Sequence, residues 1–388
     1  MRVLTLNAGS SSLKIAIYDL GDGERLVLRA TAERIGGRSD LTIVDSQHAT
    51  VAKDDADLPT HAAALERFLE WHAHSDSPVD AVGHRVVHGG RRYSAPQRID
   101  ASLRRALDQL VQIDPDHMPQ ALSIIDCVSA RLPRLPQVAC FDTAFHRTMP
   151  RVAQRYALPA RFDAAGIARY GFHGLSCEYV IHKLRELDPH EAAGRVIVAH
   201  LGNGASLTAV RDGKSVETTM GFSPAGGLVM GTRVGDIDPG VLVQLVGAEG
   251  LSSDALRSLV NRESGLLGVA ETSGDMRDLL AAEESDSRAA AAIELFCYQA
   301  SKFVGALTVA MGGLETLIFT GGIGEHATPI RARICQRLGV LGVLIDAERN
   351  DASAEIISAR GSRVLVRILP TNEEIVIARH TRRTIAQS

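Results

Sequence analysis

The stretch Val3-Leu4-Thr5-Leu6-Asn7-Ala8-Gly9-Ser10-Ser11-Ser12-Leu13-Lys14-Ile15-Ala16-Ile17-Tyr18-Asp19 decides the fold. Val3 to Leu6 reads as a short apolar strand, and Leu13 to Asp19 alternates into a second. Between them, Asn7 to Ser12 is a polar turn of small residues, so the stretch is a β-hairpin with a phosphate-sized turn. The design returns at mid-chain. Arg195 to His200 is a strand, Leu201-Gly202-Asn203-Gly204-Ala205-Ser206 a turn, and Leu207 to Gly213 the returning strand. Aligning the copies sets Leu13 against Leu207 and Ser12 against Ser206. Their spacing of about half a chain points to two related domains, with chance similarity of two hairpins as the competing reading.

Outward from the hairpins, helices and strands alternate. Pro59 to Ala73, Ser102 to Val111, Pro119 to Leu132, Cys177 to Glu186 and Ser287 to Gly312 carry helical patterns. Val79 to Val87, Val138 to Phe141, Leu317 to Thr320 and Val364 to Leu369 read as strands, and helices open at Pro329 and after Glu374. Alternation of this kind specifies an α/β fold with helix-covered sheets. Polar residues collect at the C-terminal ends of the strands, where open α/β sheets bind ligands. A domain change is expected near Pro150, giving domains 1–150 and 151–370, with 371–388 packing back onto the first.

Bulk properties fit this. The chain has 388 residues, and roughly 100–200 residues per domain suggests two, each able to bury a core. Apolar residues are 45% and charged residues 23%, with 42 basic against 46 acidic and a net charge of -4. No basic block favours nucleic acid. Cys127, Cys140, Cys177, Cys297 and Cys335 are scattered and form no CxxC pair, as expected of buried thiols in a reducing compartment. The apolar N-terminal stretch is broken at Asn7, too early for a signal peptide, and no run approaches the roughly 18 apolar residues of a membrane span. A cytoplasmic location is expected.

Several places invite chemistry. Gly213-Lys214-Ser215 is the nearest approach to a Walker A loop, but Thr208 stands where its first glycine should be and a hairpin precedes it. Gly321-Gly322-Ile323-Gly324-Glu325 follows a buried strand and precedes a helix, so its amides face either an anion or nucleotide, or nothing beyond a turn. His84, His88, His117, His173 and His200 sit beside glycines or at strand ends without the spacing of a zinc site. Arg85 lies in an apolar strand, where an unpaired guanidinium is costly, so it needs a carboxylate from the protein or a substrate. Asp142, at a strand end, poses the same problem with the opposite sign.

Together the motifs resemble the acetate kinase family, within the wider group of sugar kinases, Hsp70 and actin. The resemblance runs over nearly the whole chain. It rests on Val3 to Lys14, Gly83-His84-Arg85-Val86-Val87-His88-Gly89-Gly90, Phe141-Asp142-Thr143-Ala144-Phe145-His146 and Tyr170-Gly171-Phe172-His173-Gly174. It continues through His200 to Gly204, Met230-Gly231-Thr232-Arg233, Gly321 to Glu325 and Pro370-Thr371-Asn372-Glu373-Glu374. It implies two duplicated actin/Hsp70-like (ribonuclease H-like) α/β domains with an interdomain cleft. It also implies phosphoryl transfer between ATP and acetate to give ADP and acetyl phosphate, and a homodimer. Propionate or another short-chain carboxylate as acceptor is the alternative. A nucleotide-binding switch of the actin and Hsp70 group is a further one.

Carried over by motif, Asn7 and Glu373 match positions that bind magnesium, for which manganese is a substitute. Lys14, His200, Leu201, Gly202, Asn203, Gly204, Asp275, Met276, Arg277, Gly322, Ile323, Gly324, Glu325 and His326 match ATP contacts. Arg85 matches the contact to the substrate carboxylate, and Val87, Phe172 and Pro224 match walls of the acyl pocket. Asp142 matches the active-site acid, and His173 and Arg233 the stabilisers of the transition state. Two departures stand out. His326 replaces the family's usual asparagine. Asp116-His117-Met118-Pro119-Gln120-Ala121 replaces Leu-His-Asn-Pro-Pro-Asn, setting Asp116 where an apolar residue faces the acyl group, so that acetate binds poorly unless Asp116 turns away or pairs with His117 or Arg85.

Acetate is ionised at pH 7, since carboxyl groups have reference pKa values of roughly 4. No general base is needed, and Asp142 reads as an orienter of Arg85 or of a magnesium-bound water. Direct in-line transfer is the favoured route, with a phosphorylated Glu373 or Asp142 as the alternative.

Overall fold

The structure is a computed structural model and describes residues 1–55, 57–74 and 78–387. The chain divides into two compact units, Met1–Ala144 with Asn372–Ser388, and Phe145–Thr371. The first crossing falls just ahead of Pro150, which caps the short helix Arg151–Gln154 of the second unit.

The first unit holds an eight-stranded sheet in the order β5-β4-β3-β2-β1-β6-β8-β7. Its strands are β1 (Arg2–Ala8), β2 (Leu13–Asp19), β3 (Arg25–Glu33), β4 (Asp40–Asp45), β5 (Thr50–Asp54), β6 (Ala81–Val86), β7 (Gln97–Arg98) and β8 (Gln137–Phe141). The second unit holds β9 (Arg195–Leu201), β10 (Ala205–Arg211), β11 (Lys214–Thr218), β12 (Thr316–Thr320) and β13 (Leu365–Ile368), in the order β11-β10-β9-β12-β13.

Each sheet contains the same wiring. An antiparallel meander, β1-β2-β3 or β9-β10-β11, continues on its first strand into two parallel neighbours, β6 and β8 or β12 and β13. The repeated hairpin is therefore the visible part of a duplicated five-stranded core, and the α/β reading holds. The residue alignment between the copies needs correction. The ladders close at Ala8↔Leu13 in the first unit and at Leu201↔Ala205 in the second, so Leu13 stands where Ala205 does, not Leu207. The mid-chain turn is one residue shorter, Gly202–Gly204 against Gly9–Ser12, and a glycine amide donates across each, Gly9 to Ser12 and Gly202 to Gly204.

Helix packing follows the apolar patterns. In the first unit His61–His72 lays Ala64, Leu65, Phe68 and Leu69 against Leu4, Leu6, Ile15 and Ile17. On the other face Glu373–Ala386 packs across β1, β6 and β8. Gly83 permits that approach, because a Cβ there would lie 2.6 Å from Ile377 Cγ2 and collide with the Thr381 hydroxyl. In the second unit β12 is buried along its length, as befits an inner parallel strand. The 25-residue helix Ser287–Met311 starts at an Asp286 cap and ends where Gly312 turns left-handed, at φ 79. Gly321–His326, expected as a loop, is a short helix abutting Thr328–Arg337, with Pro329 in the first turn of the latter.

Candidate active site

In the first unit, β1, β6 and β8 are parallel neighbours, and their C-terminal ends carry Asn7, Arg85 and, one residue beyond the strand, Asp142. Glu373 and Glu374 open the helix that packs on these same strands, so its first turn brings two carboxylates to that end. Carboxylates are favoured there by the helix dipole, and Asn372 caps the helix by accepting from the Ile375 amide while bonding the Tyr18 hydroxyl.

These side chains form one network. Arg85 donates to Asp142 Oδ2 at 2.7 Å and, more weakly, to Asn7 Oδ1 and the Ala8 carbonyl, both at 3.4 Å. The Asn7 amide donates to Glu373 at 2.9 Å and Glu374 at 3.2 Å. Asp142 is fully buried and the Arg85 side chain only 14% exposed. Burial works against the Arg85 charge, but Asp142, Glu373 and Glu374 outweigh it and hold its pKa above the ordinary arginine value. Burial, reinforced by Asp142 and Glu374, pushes Glu373 above the usual carboxylate range in spite of Arg85 and Lys14. Arg85 Nε is buried and has no hydrogen-bond acceptor among the described residues; a Glu373 carboxylate oxygen is 3.9 Å away. Lys14 pairs in register with Asn7 and is exposed, while Val87, just after β6, is buried.

The acidic excess bears on a cation. Three carboxylates and an amide surround one guanidinium, an all-oxygen donor set of the kind magnesium takes. Among the described residues no three His, Cys, Asp or Glu side chains are arranged to enclose an ion. The oxygen donors of Asn7, Asp142, Glu373 and Glu374 suit magnesium, and the residues present fit it on that ground.

In the second unit, His173 and Arg233 meet at the mid-chain turn. A Cβ on Gly204 would lie 3.3 Å from His173 Nε2 and 3.5 Å from an Arg233 terminal nitrogen, so the glycine leaves room for both. His173 begins the helix Gly174–Leu187 in a left-handed conformation, φ 58 and ψ 28. Such backbone costs a non-glycine residue about 1–3 kcal/mol and is commonest at working sites. His173 Nδ1 lies 2.9 Å from the Ser206 hydroxyl, and its ring stacks on His200 at 4.2 Å between centroids. His200 in turn bonds the Ser176 hydroxyl at 2.8 Å. Arg233 donates to the Pro224 carbonyl at 3.2 Å, so Pro224 reaches Arg233 through its backbone. Phe172 is buried, and its carbonyl sits 2.8 Å from His146 Nε2.

The glycine-rich segments gather around that turn. The Gly231 amide donates to the Asn203 carbonyl at 3.0 Å, and a Cβ on Gly231 would strike the Asn203 side chain. Gly274 packs on Gly231 in the same way, just ahead of Asp275, which caps the helix Met276–Ala282 and pairs with the exposed Arg277. Met276 is buried. Leu201 is buried at the end of β9, and Gly202 follows it. A Cβ on Gly321 would lie 2.8 Å from the Leu201 carbonyl. In the helix Gly321–His326, Gly322 and His326 are exposed, Ile323 half-buried and Gly324 buried. Glu325 turns inward, accepting from the Gly321 amide at 2.9 Å and the Thr371 amide at 3.3 Å, which fixes the helix start.

Sequence reasoning missed Glu374, although the paired glutamates at a helix start signalled it. It also missed Ser206 behind His173, and His61, whose Nε2 lies 2.9 Å from the Gly9 carbonyl. His117 Nδ1 lies 2.9 Å from Asp114 Oδ1, and Arg85 donates to Asp142. His84 is a core histidine, bonded to Gln137 at 2.8 Å and pushed down to about 4 by burial.

A model of the acetokinase family matches residues 2–379. The acetate kinase of Methylocella silvestris is 44% identical, aligning 98% of this chain with 96% of its own, and that of Micrococcus luteus is 45% identical over 98% of both. Among solved structures, Porphyromonas gingivalis acetate kinase superposes with a TM-score of 0.88 at 36% identity, covering 99% of both chains. A propionate kinase from Francisella tularensis does so with 0.92 at 36% identity, covering 98% of this chain and 99% of its own. With a full-length family match and relatives above 40% identity along its length, the chain belongs to the acetokinase family.

Proposed function

We propose that the chain transfers the γ-phosphoryl group of ATP to acetate, reversibly, giving acetyl phosphate and ADP. The observation that carries this reading is Arg85. It is a largely buried guanidinium at a strand end, positioned by Asp142 and left with an Nε–H that lacks an acceptor among the described residues. A planar fork of this kind suits a substrate carboxylate.

Phosphoryl transfer passes through a loose transition state with charge on three equatorial oxygens, so the protein's work is alignment and donation. Arg85 holds acetate with its attacking oxygen free. Asp142 fixes Arg85 and, since acetate arrives ionised, takes up no proton. Direct transfer requires His173 and Arg233 to donate to the phosphoryl oxygens. Asn7 and Glu373 would hold a magnesium ion, which offsets phosphate charge when bound. The segments His200–Gly204, Asp275–Arg277 and Gly322–His326 with Lys14 take the nucleotide. The carboxylate anchor Arg85 thus belongs to the first unit, and most of the nucleotide contacts belong to the second.

Two further assignments belong to the same reading. A homodimer is supported by the helix Pro239–Gly247, which reads Pro-Gly-Val-Leu-Val-Gln-Leu-Val-Gly with none of its residues buried. A cytoplasmic location agrees with scattered free thiols, and among the described residues no helix is long and apolar enough to cross a membrane. The test is production of acetyl hydroxamate from acetate, ATP and hydroxylamine, run beside formate, propionate and butyrate. Acetate should give the highest kcat/KM, and no acyl phosphate from any acid would refute the reading.

A further inference from the structure

The largest side chain in the fully buried core is charged: Arg331, on the helix Thr328–Arg337. Burial holds its pKa below the ordinary arginine value in spite of the attraction of Cys335 and Asp351, and no carboxylate hydrogen-bonds it among the described residues. Its donors go to neutral oxygens. One terminal nitrogen donates to the Gly324 and Glu325 carbonyls at 3.0 and 2.9 Å. Nε donates to Asn350 Oδ1 at 3.0 Å, and the other terminal nitrogen to the Asn350 carbonyl and the Ser353 hydroxyl at 2.9 and 3.0 Å. The Asn350 amide donates to the Thr328 carbonyl at 3.1 Å, closing the ring.

This is an expensive arrangement for ordinary packing. A buried charge is normally paired, and an apolar side chain would fill the same volume at no desolvation cost. What the guanidinium does that an apolar side chain cannot is grip two successive carbonyls at the C-terminal end of Gly321–His326. A six-residue helix leaves its last carbonyls unsatisfied and is marginal alone. The cation also meets the negative end of that helix dipole. Glu325 secures the start of the same helix. Both ends are thus held, while Gly322 faces open space, with nothing within 4 Å of where its Cβ would be.

We propose that Arg331 is a positioning residue for nucleotide binding. It holds the backbone of Gly322–His326 rigid, so that this short exposed helix presents a preformed surface to ATP and ADP. The inference rests on the assignment of that helix to the nucleotide. Arg331 acts on affinity through pre-organisation and does not touch the reacting groups.

The test is Arg331→Lys, whose ammonium cannot span the Gly324, Asn350 and Ser353 acceptors together. The full-length variant is compared with the parent by calorimetric titration of ADP, by steady-state kinetics and by thermal melting. The expected result is a Kd for ADP and a KM for ATP each raised by about tenfold, the scale of one ordinary coupling. The KM for acetate and kcat at saturating ATP should stay within about twofold. A lowered melting point with unchanged Kd and KM would make Arg331 purely structural and overturn the proposal. Should Arg331→Lys fail to fold, Asn350→Ala removes the Nε acceptor while leaving the arginine, and the same criteria apply to it. Gly322→Phe separates the proposal from the reading beneath it. If that bulky side chain raises the ADP Kd and the Arg331 variant does not, only the positioning role fails. If neither changes it, the assignment of the helix to the nucleotide fails.

Discussion

The two units are built on one five-stranded plan yet equip the ends of equivalent strands differently. In the first, β1, β6 and β8 end in Asn7, Arg85 and Asp142, joined by Glu373 and Glu374: a buried ionic network with more carboxylates than cations. In the second, the turn after β9 is ringed by His173, His200, Arg233 and close-packed glycines, where room for backbone matters most. By the ladder ends, Asn7 and Lys14 occupy the places of His200 and Ser206. The scaffold therefore fixes where chemistry happens, and a few side chains decide which chemistry. On the proposed reading, the acidic cluster holds a cation and a fixed arginine, while the glycine-lined turn takes a phosphate chain.

The comparison breaks most visibly at Arg85. Arg85→Ala should lower kcat/KM by about 30- to 1000-fold, the loss of one charge-assisted anchor. Because it strands the buried Asp142, it should also destabilise the protein by about 3–5 kcal/mol. Arg85→Lys should restore little activity, since a point charge does not reproduce the fork. Activity assays and chemical denaturation on the same samples check both halves, and near-normal kcat/KM in the alanine variant removes Arg85 from the site.

In the second unit the same kind of change should act on rate alone. His173→Ala and Arg233→Ala should each reduce kcat by about 100-fold with KM for both substrates within about threefold, as expected of contacts made mainly in the transition state. Relief of the left-handed backbone is not expected from His173→Ala, because alanine inherits the same φ; His173→Gly should be the more stable of the two. Loss of ATP affinity with kcat intact would put both residues on the nucleotide instead.

Glu373 sharpens the contrast further, because function and stability should move in opposite directions. Its pKa is raised by burial, so its favourable contribution to folding is complete below the ordinary carboxylate pKa and is lost as pH climbs through the raised value. Glu373→Gln removes that loss. Without metal, the variant should melt higher than the parent at neutral pH, with the gap closing towards about pH 4. It should also need more magnesium for half-maximal rate. Asn7→Ala should share the magnesium defect but melt lower, since Asn7 bridges Glu373 and Glu374. Melting curves across pH and magnesium titrations decide it; a parent and a Gln variant with superimposable pH profiles would contradict the sign.

Much of this was legible in the residues, and what was not has identifiable causes. The hairpins, the inner parallel strands and the long helices follow from apolar periodicity, and Arg85 in an apolar strand announced a buried anion. Strand β3 went unread because Ala30 and Ala32 fill inward positions with weakly apolar side chains. Arg331 went unread because nothing local separates a buried arginine from a solvated one; its acceptors are the Gly324 and Glu325 carbonyls and residues some twenty positions on. The match of Leu13 to Leu207 failed because turn length is set by backbone hydrogen bonding that residue identity barely encodes.

The smallest effect concerns the acyl group. Identity to the Porphyromonas acetate kinase and to the Francisella propionate kinase is the same, 36%, so those two structures do not choose between the acids, whereas the relatives above 40% identity are acetate kinases. Asp116 stands, half-buried, in the segment that departs from the family pattern. If its carboxylate faces the acyl pocket, it repels the substrate's own charge and leaves a methyl group poorly accommodated. Asp116→Leu should then lower the KM for acetate and shift preference towards propionate. One buried methylene contributes about 0.8 kcal/mol, so the shift in the ratio of kcat/KM values is bounded at roughly fourfold. Asp114→Asn serves as the control. It loosens His117 without altering the charge of Asp116, and should leave the acid preference where it was. A preference unmoved by Asp116→Leu would place Asp116 outside the pocket and leave the choice of acid to Val87, Phe172 and Pro224.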